Sequence, residues 1–121
     1  MPLGRLSLLA LDCPDPRALA AFYRQIVGGA VKESTASDEW VRLETGTGCD
    51  IGFQRDPNHQ PPGWPNGAPQ QAHLDLDVGD LDRAEAAVLA IGAVKASLQV
   101  APDEWRVFLD PAGHPFCLIK R

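Results

Sequence analysis

The sequence predicts an α+β fold built from two βαβββ modules. Three observations predict it. First, the chain repeats itself at a shift of 65 residues: Asp38-Glu39-Trp40 recurs as Asp103-Glu104-Trp105, Leu11-Asp12 as Leu76-Asp77, Asp15 as Asp80, and Gly48 as Gly113. Matches spread over most of each half mark a duplicated unit and not a chance tripeptide. Second, each half reads as one strand-like run, one amphipathic helix and three further short runs. Third, five of the eleven prolines fall between the halves, at positions 57, 61, 62, 65 and 69.

The first module is placed at residues 1–55. Residues 6–13 form its opening strand. Asp15 is an N-cap, because its carboxylate can accept from the unpaired amides of the first turn, and Pro16 takes the first helical position. Leu19, Phe22, Tyr23 and Ile26 follow at the spacing of one helical stripe. Gly28-Gly29 can end the helix. Strands are expected at 30–34, 40–44 and 50–55. Residues 56–71 form a stiff, extended linker with little capacity for helix or strand. It carries His59, a solvated residue, and Trp64, which either packs on the domain surface or forms the lip of a pocket.

The second module, 72–121, opens with a strand at 72–78. Asp80 caps its helix, Ala84, Ala87, Val88 and Ile91 form the stripe, and Gly92 stops it. Strands at 94–100, 105–109 and 115–119 complete the unit.

Composition excludes several function classes. A chain of 121 residues suits one domain, or two half-size modules sharing a core. An apolar fraction of 45% with 22% charged residues rules out wholesale disorder. The net charge is −5, and no run of Lys or Arg exceeds two. Neither nucleic acid nor a basic membrane-surface patch is expected, since both need clustered cations. The longest apolar stretch near the N-terminus, residues 8–11, is too short for a spanning helix or a signal sequence. The expected compartment is the cytoplasm. Cys13, Cys49 and Cys117 show no CxxC spacing, which fits neither a zinc motif nor a disulfide framework.

Paired βαβββ modules with these motifs resemble the vicinal oxygen chelate superfamily, also called the glyoxalase/bleomycin-resistance/dioxygenase family. The resemblance rests on Leu11-Asp12-Cys13-Pro14-Asp15-Pro16 running into Ala21-Phe22-Tyr23, and on His73-Leu74-Asp75-Leu76-Asp77-Val78. It also rests on the ending Phe108-Leu109-Asp110-Pro111-Ala112-Gly113-His114-Pro115-Phe116-Cys117-Leu118, which is similar to the family's last turn and strand. It is strongest in the second half, and looks nearest to the small glyoxalase-like domain branch. It implies a curved mixed-sheet cavity with the helices outside, and a homodimer. It leaves function open, because the superfamily holds isomerases, lyases, dioxygenases, thiol transferases and drug-sequestering proteins.

The resemblance also implies up to four metal-ligand positions on the cavity face, one each on the first and last strands of each module. Here they read Leu8, Gly52, His73 and Cys117. Leu8 and Gly52 offer no side-chain donor. Mg²⁺ and Mn²⁺ want oxygen ligands, and the Fe²⁺ facial triad wants two His and a carboxylate. Zn²⁺ would accept His73 and a Cys117 thiolate, but two ligands fall short of three. The expectation is therefore no metal cofactor, with His73 and Cys117 as the residual candidates for a divalent ion.

Strand alternation puts Asp75 in phase with His73, and Gln54 in phase with Gly52. Trp40 and Trp105, paired by the repeat, are either sheet anchors or aromatic walls for a flat ligand. The expected ligand-contacting set is Leu8, Trp40, Gly52, Gln54, His73, Asp75, Trp105 and Cys117. Three functions follow. One is a metal-free protein that binds a small molecule in the sheet cavity. Another is a metal-dependent lyase, isomerase or dioxygenase using His73 and Cys117. The third is a metal-free acid–base enzyme in which His73 and Asp75 are catalytic.

Overall fold

The computed structural model describes residues 2–121. The chain divides into two compact units, residues 1–59 and 60–121. The first holds β1 (Leu8–Cys13), α1 (Pro16–Val27), β2 (Ala30–Val31), β3 (Trp40–Glu44) and β4 (Asp50–Arg55). The second holds β5 (Leu74–Val78), α2 (Leu81–Ala90), β6 (Val94–Lys95), β7 (Trp105–Leu109) and β8 (Pro115–Lys120). Both are βαβββ units. Their sheets have the orders β1-β4-β3-β2 and β5-β8-β7-β6, with the first and last strands parallel and the other pairs antiparallel.

The repeat reaches down to the pairing register. Leu9 faces Ile51 and Leu74 faces Phe116. Trp40 faces Gln54 and Trp105 faces Ile119. Each second pair is the first moved by 65 residues. Both helices start as the residues dictate. Asp15 accepts from the Ala18 amide at 3.2 Å and Asp80 from the Arg83 amide at 3.1 Å. Gly28 and Gly92 follow the helices at φ of 76° and 111°, values that a Cβ disfavours.

Each sheet buries one face under its helix. In the first unit Tyr23 stacks on Phe53 with ring centres 5.9 Å apart, and Phe22 meets Tyr23 edge-on at 5.0 Å. In the second, Phe108 stacks on Phe116 at 5.7 Å, with Leu118, Leu81 and Val88 also buried. Arg106 on β7 reaches Asp82 of α2 at 2.9 Å, which fixes the α2 side of that sheet.

Several boundaries differ from expectation. The first strands start at Leu8 and Leu74, because pairing begins only where β4 and β8 supply a partner. β2 and β6 are two residues each, and β8 runs on to Lys120. Ala87 is exposed, and the buried stripe of α2 runs from Leu81 to Val88. Leu81 follows the cap directly, so the inward face begins one residue after Asp80.

Residues 56–71 contain neither helix nor strand, but they do not run extended. The Gly63 amide donates to the Ala68 carbonyl at 2.8 Å, and the Trp64–Pro65 bond is cis. The Pro61 ring fills the space beside Gly113 that a Cβ would need. The segment from residue 60 onward thus folds against the second unit.

Candidate functional site

On the first unit, Trp40, Arg42, Gly52, Asp50 and Leu8 share the sheet face turned away from α1, since directly paired strand residues project to one side. The Trp40 indole lies where a Gly52 side chain would stand, and Leu8 Cδ1 comes within 3.1 Å of the same point. Gln54 is exposed towards the end of β4. Arg42 clamps Asp50 through Nη2 at 2.7 Å and Nε at 2.9 Å, and the Thr45 amide donates to the other carboxylate oxygen at 3.1 Å. The Arg42 hydrogen bonds hold the Asp50 carboxyl below its ordinary range. Arg42 and Asp50 are therefore spent on one another.

The second unit is arranged differently. Asp75 on β5 is in direct register with Cys117 on β8, which faces Val107 on β7. His73 lies just before β5, two residues from Asp75 on the same side, with its Nε2 3.2 Å from Asp75 Oδ1. The His73 and Asp75 side chains are 42% and 58% exposed, whereas Cys117 is 7% exposed. One carboxylate thus stands between an accessible imidazole and a buried thiol. Burial, the Asp75 charge and the hydrogen bond to Asp75 push the Cys117 thiol up to about 11. Near neutrality the thiol keeps its proton and serves as a hydrogen-bond donor, not as a nucleophile.

Beside these groups lies an apolar cluster of Ala96, Val107 and Cys117, with Trp64, Trp105 and Ile119 packed on it. Trp64 is the contribution absent from the sequence-expected set. It comes from the proline-rich segment and lies on the same face as Cys117. An isolated indole in a stretch that cannot form a strand was the available signal, but nothing in the spacing says which surface it covers. Farther along β5, Asp77 pairs with Arg121 at 2.8 Å. His114 belongs to a turn, where its amide and that of Ala112 both donate to the buried Asp110 carboxylate, at 3.0 and 2.8 Å.

Of the expected residues, the structure groups Leu8, Trp40 and Gly52 on the first unit. It groups His73, Asp75 and Cys117 on the second, with Trp105 on the adjoining cluster. Residues 8–119 match the model of the glyoxalase-like domain. The chain belongs to the glyoxalase-like domain family. Solved structures of the wider glyoxalase/bleomycin-resistance/dioxygenase family share its fold. A family enzyme from Burkholderia phytofirmans superposes with a TM-score of 0.73 at 24% identity, covering 97% of this chain and 98% of its own. The fosfomycin resistance protein FosX from Listeria monocytogenes does so at 0.72 and 15% identity, covering 100% and 93%. A glyoxalase-related enzyme from Fulvimarina pelagi gives 0.69 at 19%, covering 98% and 89%. No curated protein sequence matches.

Two of the four strand positions that the resemblance implies for a metal ion offer no side-chain donor. Leu8 and Gly52 have no donor atom, and the Trp40 indole fills the space over Gly52. Among the described residues, no helix is long and apolar enough to cross a membrane.

Proposed function

We propose that this glyoxalase-like domain binds a small organic molecule on the face of the second unit's sheet turned away from α2, without needing a metal. The observation that carries the reading is the placement of an imidazole–carboxylate pair on the same sheet face as two indoles. His73 and Asp75 stand exposed at the β5 edge, and Trp64 and Trp105 pack on the cluster that includes Cys117. Indoles offer large, rigid apolar area, and a partly solvated carboxylate supplies orientation. Asp75 and the indole faces suit a cationic aromatic ligand.

A panel of cationic and aromatic compounds, screened by thermal shift in the presence of EDTA, tests the proposal. A ligand at a hundred times its Kd stabilises the folded state by about 2.7 kcal/mol, a shift of several degrees in Tm. Binders should lose that shift in Trp105→Ala. A panel that moves Tm nowhere overturns the reading.

The 3.2 Å contact between His73 and Asp75 favours one second reading, acid–base catalysis on the bound molecule. An imidazole oriented through one nitrogen can present the other to a substrate proton. If the bound molecule is turned over, His73→Ala should abolish turnover and leave Trp105-dependent binding in place.

A further inference from the structure

We infer that the first unit carries a binding cavity for a small monoanionic carboxylate with an apolar body, between the flank of α1 and strands β2 and β3, with Arg24 as its anchor. The cavity holds about 570 Å³. Small-molecule sites run from roughly 300 to 1,000 Å³. The cavity lies on the α1 side of the sheet. Val41 stands between Trp40 and Arg42, which project to the opposite face, and Val31 pairs with Leu43, in phase with Val41. The inference therefore stands apart from binding on the second unit.

One helix face supplies a wall. Arg17, Ala21 and Arg24 recur at i, i+4 and i+7 of α1, and all three line the cavity. Val31 and Val41 supply an apolar floor, Val41 buried and Val31 half-buried. A bare inorganic anion leaves that floor unused, whereas a hydrocarbon or aromatic body covers it.

The two arginines differ in what already faces them. Arg17 has Glu33 at 3.7 Å and Asp38 at 4.0 Å, so its charge is matched. The ion pairs of the first unit do not include Arg24. Its Nε donates to the Gly29 carbonyl at 3.1 Å, which holds the guanidinium at the cavity. That bond uses one edge of the group and leaves the two Nη nitrogens for a bidentate carboxylate. Glu33 also lines the cavity, so two guanidinium groups against one carboxylate leave a single positive charge. One net positive charge suits a monoanion better than a dianion.

The test titrates the isotope-labelled full chain with phenylpropionate and with its neutral counterpart phenylpropionamide, followed by amide NMR shifts. Phenylpropionate should move the Ala21, Gly29 and Val31 amides and saturate by about 10 mM. The neutral amide should bind at least tenfold more weakly, and so should inorganic phosphate. Arg24→Gln should weaken phenylpropionate at least tenfold. Ala21→Glu provides a second arm that leaves the Arg24–Gly29 bond out of the argument. Ala21 is exposed on the helix, and a glutamate there is a good helix former that brings bulk and negative charge into the cavity. It should abolish binding, whereas Trp105→Ala should leave the titration unchanged. No saturable shift at those amides, or full affinity in Arg24→Gln or Ala21→Glu, would overturn the site. Equal affinity for the neutral amide or for phosphate would overturn the ligand class. Loss of binding in Trp105→Ala would place the probe on the second unit and overturn the inference.

Discussion

At Gly52 the backbone comes so close to the Trp40 indole that a Cβ has no room. The residue sits in β4 with no positive φ, so a side chain there is refused by packing and not by backbone strain. Gly52→Ala should therefore cost about 1–3 kcal/mol, the usual range for overpacking. In a Trp40→Ala background the sign should turn. With the indole gone, the alanine has space and should stabilise by about 0.4–1 kcal/mol, because it restricts the unfolded chain. Urea melts of the four proteins in the cycle measure both numbers, and equal costs in the two backgrounds would show that the indole is not the obstacle. The lack of a donor at Leu8 and Gly52 is legible in the residue names alone. The indole that closes over Gly52 is not, because alternation assigns Trp40 to a face but gives no rotamer.

Strand ends show the same division at the scale of elements. Alternation and the repeat place β3, β4 and β7 at their observed bounds, because each pairs along its whole length with a regular neighbour. The expected strand at 94–100 ends instead at Lys95, and the Gln99 side chain takes over. Its Nε2 donates to the Ala96 and Val107 carbonyls at 3.0 and 2.8 Å, and its Oε1 accepts from the Val107 amide at 3.0 Å. A side-chain amide here does the work of a backbone peptide at the sheet edge. Propensity favours a longer strand and carries no information about such a substitution. Val107 is buried, so loss of the amide leaves its N–H without a partner. Gln99→Ala should destabilise by about 1–3 kcal/mol, the cost of an unsatisfied buried group. Exchange of the Val107 amide with deuterium should speed up more than that of the other β7 amides. Unchanged protection at Val107 would mean that water replaces Gln99 without penalty.

For the whole molecule, the 65-residue shift carries the architecture: two sheets, one strand order, one register. Duplication makes the fold legible twice over, since each half checks the other. The proline-rich segment has no counterpart within the repeat, and here the reading from sequence stops at "extended". Proline fixes φ and removes amide donors, which excludes helix and ladder but leaves the path of the chain open. The path is set by what the segment can bury, and that is Trp64, on Ala96, Val107 and Cys117. From residue 60 onward the segment is therefore part of the second unit's structure and not a tether. Truncating a fully buried Trp costs about 3–5 kcal/mol, and Trp64 is half-buried, so Trp64→Ala should lose about 2–3 kcal/mol. The released segment should then be cut by proteases within residues 60–71 at a rate well above that of the parent protein. Trp64→Phe keeps an aromatic plug and should restore most of the resistance. A tether would behave otherwise: stability and cleavage would stay at parental values in both variants, and limited proteolysis followed by mass spectrometry separates the two outcomes.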